Sequence, residues 1–249
     1  MLSDPLFLAI CIVAVIILGL AKGGFAGIGM LATPMMALVI PPLQAAAILL
    51  PILLLQDAIS VWTYRKDWDR WNVKVLLPGA VVGVCIAWVL AAHLSDAMVR
   101  LIVGVIGLVF VLNSWFGRLP PEDHQPKVSH GVFWGAVTGF TSTMVQAGSP
   151  PFQFFTLPQR MPKLTFVGTN AIVFAAINLM KVIPYTALGQ FSTESLHISA
   201  WMMPLAVATN YFGIWLVRVT PTGLFYRLAY IMVFFISIGL TWQAIRAMV

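Results

Sequence analysis

Residues 20–29 read LAKGGFAGIG and place a lysine and four glycines inside an apolar run. Glycine lets the backbone leave the helical path, and membrane proteins tolerate an interrupted helix where the freed backbone is buried in protein or lines a cavity. Apolar segments flank the stretch at about 6–21 and 25–40, and Pro34 lies in the second. We therefore predict that residues 6–40 form a broken or hairpin element, not one straight helix.

A second interrupted stretch lies at residues 128–158, where Gly148, Pro150, Pro151 and Pro158 break another apolar run. The remaining apolar runs are uninterrupted by such clusters, and each reaches the roughly 20 residues of a full membrane crossing. These runs, predicted to be single spanning helices, are 43–64, 73–94, 97–116, 164–188, 196–217 and 222–247.

The amino-acid composition alone, without any sequence motif, indicates a membrane protein. Hydrophobic residues make up 60% of the 249-residue chain and charged residues only 9%, whereas a soluble domain carries about 25% charged residues. The net charge of +6 collects in short segments between apolar runs, and no segment is long or polar enough to bind nucleic acid. We predict an all-α membrane protein, a helical bundle whose surrounding partner is the lipid bilayer.

The hydrophilic connector at residues 118–127 divides the chain into a first repeat, 1–117, and a second repeat, 128–249. Each contains a broken segment followed by three long spans, and this shared order is the sign of an internal repeat.

Charged loops predict that these repeats have opposite orientations. The loop at 65–74 is rich in cations, whereas its counterpart at 188–194 has none. In the other pair, the loop at 40–43 has no cation, whereas its counterpart at 159–163 has two. Because cationic loops stay on the cytoplasmic side, corresponding loops prefer opposite sides of the membrane. We predict inverted-topology repeats with both termini facing outward, a layout typical of secondary transporters.

Polar groups at membrane depth are costly, so each requires a reason. Lys22 lies beside the first break, where the free N–H groups and half-helix dipoles of an interrupted helix are expected to favour a negative ligand. The glycines are consistent either with close approach to a ligand or with helix packing, and Lys22 favours the ligand. We predict that the two breaks bind substrate through residues Lys22, Gly23, Gly24 and Gly27 of the first and Ser142, Thr143, Gln146 and Ser149 of the second.

Other polar residues lie within the spans. Asp57 is either a proton carrier that couples transport or one member of a structural ion pair with Lys22 or Lys181. Lys181, four residues from Tyr185, is expected to extend to the outer interface. Asn170 and Asn178 are eight residues apart on one helix face, where they bind substrate or join helices.

An enzyme is not predicted. All four histidines lie in loops or at the ends of spans, and Asp57 is the one carboxylate at depth. A metal hydrolase needs several such ligands together, and an intramembrane protease needs a paired nucleophile or acid. We expect no catalytic residue, metal or cofactor.

Several stretches resemble the sulfite exporter TauE/SafE family, the TSUP transporters. They are Ala21–Phe25 through Pro34, Pro41–Pro42 to Leu50–Pro51, Asp57 to Tyr64–Arg65, the FVGTN stretch at 166–170 and the NLMKVIPYTALGQ stretch at 178–190. The resemblance implies a multi-pass protein of the bacterial inner membrane that transports a small sulfur-containing anion such as sulfite, thiosulfate or an organosulfonate. Its outward-facing termini would then lie in the periplasm.

The favoured function is therefore a secondary transporter that works by alternating access, with Asp57 as the candidate for proton coupling. A passive anion channel is one alternative, since a channel and a carrier both use midplane breaks. A non-transporting membrane subunit, in which Lys22 and Asp57 are merely paired, is the other.

Overall fold

The computed structural model describes residues 4–25, 28–36, 38–40, 42–90, 95–116, 126–187, 189 and 191–248. Within these ranges no strand forms, and the chain is a bundle of α-helices. They are α1 (Pro5–Gly23), α2 (Ala32–Met36), α3 (Pro42–Thr63), α4 (Arg70–Leu90), α5 (Asp96–Phe116), α6 (Val128–Val145), α7 (Ser149–Thr156), α8 (Lys163–Ala187), α9 (Thr193–Val219) and α10 (Thr222–Met248), with short 3₁₀ helices at Ile28–Leu31 and Leu157–Gln159.

The predicted pattern of broken and continuous segments is confirmed. Both interrupted stretches form separate helices, α1 with α2 and α6 with α7, and each predicted span forms one helix. Six helices in the described part of the chain are long and apolar enough to cross a membrane: α1, α3, α4, α8, α9 and α10.

One detail differs from the sequence interpretation. Helix α1 has 19 residues and is itself long enough to cross, because it continues to Gly23 and the break falls at its end. Helix α5, predicted to cross, has 21 residues over Asp96–Phe116, which is the length of a full crossing.

The two halves pack against each other instead of forming separate bundles. Helix α1 packs on α9 and α6 packs on α4, while α3 contacts α8 and α5 contacts α10. If α1–α5 are matched in order to α6–α10, the contact of α1 with α9 is equivalent to that of α6 with α4. The contacts of α3 with α8 and of α5 with α10 each join a matched pair of helices. The division at residues 118–127 therefore stays a prediction about sequence repeats, and residues 118–125 lie outside the described ranges.

The matched helices run antiparallel. Asp57 in the middle of α3 contacts Asn178 in α8, and the start of α3 packs in one apolar cluster with Tyr185 near the end of α8. In the other pair, Arg100 near the start of α5 contacts Gln243 near the end of α10. Inverted repeats require this direction, although inversion of the whole halves stays a prediction.

Cationic segments meet at one end of the bundle. Asn72, in the segment 65–74, donates to the Gln159 side chain at 2.8 Å, and Gln159 donates back at 3.0 Å. At the other end, Phe191 from the bare segment 188–194 packs with the start of α3. The cationic segments 65–74 and 159–163 thus lie on the same side of the molecule.

Glycines allow the closest helix contact. Gly79 and Gly83 on α4 face Gly135 and Gly139 on α6, and each glycine lies against backbone of the other helix. A Cβ atom at Gly83 would lie 2.0 Å from the carbonyl oxygen of Ala136. Small residues four apart are a common basis of helix packing in membranes.

We expect Gly83→Ala to destabilise the protein by about 1–3 kcal/mol, because the added methyl group must push α4 away from α6. The measurement is thermal unfolding of the purified protein in detergent. Val82→Ala is the matched control, since Val82 is 51% exposed on the outer face of the same helix and should change stability little. Equal unfolding temperatures for the two variants would contradict the close contact.

Candidate functional site

The first break is formed by the end of α1. Gly24 has a φ of 144°, a conformation that L side chains rarely adopt, and its N–H donates to Ala21 O at 3.1 Å. The N–H of Phe25 donates to Leu20 O at 3.2 Å. These two bonds close the helix in the manner of a Schellman motif. The break therefore uses its own amide groups to terminate α1.

Side chains at and just beyond the end of α3 cap the last carbonyl groups of α1. Ser60 donates to Lys22 O at 2.9 Å, and Tyr64 donates to Gly23 O at 2.7 Å. The first break thus presents a helix C-terminus, which is the negative end of the helix dipole. The hypothesis that its free N–H groups attract an anion is wrong for Gly24 and Phe25, because both are bonded within α1. The group that can attract an anion here is the Lys22 ammonium.

The second break repeats this arrangement with different residues. Gln146 adopts a left-handed conformation with a φ of 56°, and the N–H of Ala147 donates to Thr141 O at 3.2 Å to close α6. Helix α7 then begins at Ser149, followed by Pro150 and Pro151. Prolines lack an N–H group, so the start of α7 offers few amide donors and its polar groups are mainly side chains.

A buried carboxylate connects the two halves. Asp57 on α3 is 2% exposed; its Oδ1 accepts from Lys22 Nζ at 2.5 Å and its Oδ2 accepts from Asn178 Nδ2 at 2.6 Å. The structure therefore shows the predicted ion pair with Lys22. Asp57 and Asn178, one from each half of the chain, thus contact each other directly.

Lys181 does not extend to the outer interface, so that prediction is wrong. The side chain is fully buried, and its ammonium donates to Gln146 Oε1 at 2.9 Å and to Asn178 Oδ1 at 3.1 Å. Its position on α8, three residues after Asn178, turns it toward the bundle interior, where both amide oxygens accept from it.

The two breaks meet at a cavity between the halves. The volume of the cavity is about 60 Å³. Because one water needs about 10–15 Å³, the cavity can hold a few waters or one small anion. The predicted site residues that line it are Lys22, Ser142, Gln146, Ser149, Asn170 and Asn178.

The other predicted residues lie elsewhere. A Cβ at Gly23 would lie 2.4 Å from Gly213 of α9, and one at Gly24 would lie 2.6 Å from Val217, so both glycines serve helix packing. Thr143 donates back to Gly139 O of its own helix at 2.8 Å. Gly27 lies outside the described residues.

A family model described as sulfite exporter TauE/SafE matches residues 11–240 of the 249. The chain belongs to this family. Among curated proteins and among solved structures, none matches the chain. Membership of the TauE/SafE family, together with the six apolar helices of the described residues, indicates a multi-pass membrane transporter of sulfur-containing anions. The members of this family are transporters, which is consistent with the expectation that the chain is not an enzyme.

Three residues that were not predicted as site residues lie at or next to the cavity of this TauE/SafE protein. Thr33 and Phe174 line the cavity, and the Lys22 ammonium lies 5.7 Å from the centre of the Phe174 ring. Lys181 lies behind the lining. The spacing of Asn170, Phe174, Asn178 and Lys181 places them on one face of α8. This spacing is a signal in the sequence that could have identified Phe174 and Lys181.

Basic side chains outnumber acidic ones around the cavity of the TauE/SafE protein. Two lysine side chains, those of Lys22 and Lys181, accompany the single carboxylate of Asp57. The remaining described lining residues carry no ionisable group. No cluster of three or more metal ligands occurs among the described residues. The arrangement is suited to holding a negatively charged molecule.

We expect Tyr64→Phe to lower the stability of the protein by about 1–3 kcal/mol, because the buried Gly23 carbonyl loses its cap at the first break. Thermal unfolding in detergent measures the effect. Tyr211→Phe removes a hydroxyl from a side chain that is 56% exposed and should have little effect. The cap would be unimportant if both variants unfolded at the wild-type temperature.

Proposed function

We propose that this protein is a secondary transporter that carries a small sulfur-containing anion, namely sulfite, thiosulfate or an organosulfonate, by alternating access. The observation that carries the proposal is the cavity at which Lys22 of the first break faces Ser142, Gln146 and Ser149 of the second. A site between two repeats, at the ends of broken helices, is the arrangement by which many secondary transporters bind substrate.

The ligands of the anion are proposed to be side chains. Lys22 supplies the positive charge, and Ser142 and Ser149 supply hydroxyl donors. The Nε2 group of Gln146 is buried and has no hydrogen-bond partner among the described residues, which leaves it available to a sulfonate oxygen. Leu49, with Phe174, provides an apolar wall against which an organic substituent can pack.

Rocking of one half against the other would alternate access to this cavity. Each half contributes one break, so relative movement of the halves changes both sides of the site at once. We further propose that the protein lies in a bacterial inner membrane with both termini in the periplasm. The meeting of the cationic segments 65–74 and 159–163 at one end supports this orientation, because such segments remain cytoplasmic.

Asp57 is proposed to couple transport to protons. Its carboxylate holds the Lys22 ammonium, so a proton on Asp57 would weaken that pair and free Lys22 to bind the anion. The Asn178 amide, which contacts the other carboxylate oxygen, would remain in place. Anion and proton would then enter the site together.

We expect Lys22→Ala to reduce counterflow of radiolabelled sulfite in proteoliposomes severalfold, because the anion loses its direct cation. Lys74→Ala is the control, since Lys74 is exposed on α4, which does not line the cavity. Wild-type counterflow also separates a carrier from a channel, which cannot drive one anion against another. If Lys22→Ala left the exchange of sulfite, thiosulfate and sulfonates unchanged, Lys22 would not belong to the site.

Asp57→Asn should abolish accumulation of the anion driven by a pH gradient while counterflow continues, because asparagine cannot carry the proton. The two activities are compared in the same proteoliposomes. Glu194→Gln, which neutralises an exposed carboxylate at the start of α9, should retain both. Continued proton-driven accumulation by Asp57→Asn would exclude Asp57 as the coupling group.

A further inference from the structure

The side-chain amide of Gln146 is held at one end only. Gln146 closes α6 in a left-handed conformation with a φ of 56°, and it lines the cavity. Its Oε1 accepts a hydrogen bond from Lys181 Nζ at 2.9 Å. Its Nε2, in contrast, is buried and has no hydrogen-bond partner among the described residues. Because a buried donor without an acceptor is costly, this amide is suited to a ligand that supplies the acceptor.

Lys181 determines which end of the Gln146 amide is left for a ligand. The oxygen and the NH₂ group of an amide exchange places when the group turns over, and the hydrogen-bond partners decide between the two orientations. A lysine nitrogen can donate to a carbonyl oxygen in both its charged and its neutral form. The Lys181 nitrogen is itself held in place, because its side chain is fully buried and it also donates to Asn178 Oδ1 at 3.1 Å. The end of Gln146 that remains is therefore a donor.

We propose that Lys181 is a positioning residue that holds Gln146 Oε1 and thereby directs Nε2 at the anion, so that the cavity prefers anions that accept hydrogen bonds strongly. The inference rests on the proposed function and adds a physical basis for its substrate class, since sulfite and sulfonate oxygens are strong acceptors. If the amide turned over, its oxygen would face the anion and repel it. One hydrogen bond to a charged group changes an affinity by about tenfold or more.

Methanesulfonate and perchlorate test this preference, because both are tetrahedral and carry one negative charge, whereas perchlorate is a weak hydrogen-bond acceptor. The net charge of the site acts on both anions alike, so the ratio of their dissociation constants reports the hydrogen bond. Binding of each anion to the purified full-length protein in detergent is measured by titration calorimetry at pH 7. Gln146→Leu removes the donor and should shift the ratio about tenfold toward perchlorate. Lys181→Met releases the amide and should shift it severalfold in the same direction.

The double variant shows whether Lys181 acts through Gln146. Once residue 146 is leucine, Lys181→Met should cause no further shift of the ratio, because no amide remains to be oriented. A purely structural role of Lys181 would lower the amount of binding protein and leave the ratio unchanged. Lys163→Met is the matched control on the same helix. The Lys163 ammonium donates to Val217 O and Thr220 O, both at 2.6 Å, and does not line the cavity, so this variant should keep the wild-type ratio.

The outcomes distinguish this inference from the proposed function. An unchanged ratio in Gln146→Leu, or equal shifts by Lys181→Met with and without Gln146, would overturn the inference while leaving anion transport intact. If Lys181→Met does not fold, Lys181→Gln replaces it. That variant retains a neutral donor and should keep the wild-type ratio, and a tenfold shift would overturn the inference. Failure of the wild type to bind methanesulfonate, together with absence of sulfite counterflow, would overturn the proposed function as well.

Discussion

The contact between Asp57 and Lys22 fixes the geometry on which the site depends. A carboxylate that is 2% exposed needs charge and hydrogen-bond partners, because an unpaired buried charge is strongly destabilising. Asp57 takes one partner from the end of α1 and the other, Asn178, from α8. The first break is thereby held against the second half of the chain, and the cavity lies where these elements meet.

The two breaks solve the same backbone problem and offer different chemistry. Each closes its helix with a residue at positive φ, Gly24 in the first half and Gln146 in the second. At the first break, Ser60 and Tyr64 satisfy the freed carbonyl groups, so the remaining functional group is a cation. At the second break the closing residue itself has an amide side chain, which reaches the cavity. The two breaks thus give the cavity a charged side and a neutral donor side.

Much of this arrangement could be predicted from the sequence, for a physical reason. Lipid requires long apolar helices, so glycine and proline clusters and deep polar residues are visible against an apolar background. Six of the predicted substrate residues line the cavity. The direction of Lys181 was missed because proximity along the chain to Tyr185 does not specify which helix face a side chain occupies. Gly23 was ambiguous because its packing partner, Gly213, is remote in sequence.

Packing alone explains part of the polar network but not all of it. An ion pair of Lys22 with Asp57, and a close contact between Gly23 and Gly213, would stabilise any helical bundle. The Lys181 side chain is different, since burying an ammonium costs several kcal/mol and its described hydrogen bonds go to two amide oxygens and not to a carboxylate. Lys22 does not offset this cost, because it is itself basic. Under the proposed function, an anion in the cavity would stabilise the charged form of Lys181, so the contact least favourable to the empty protein would favour its occupied state.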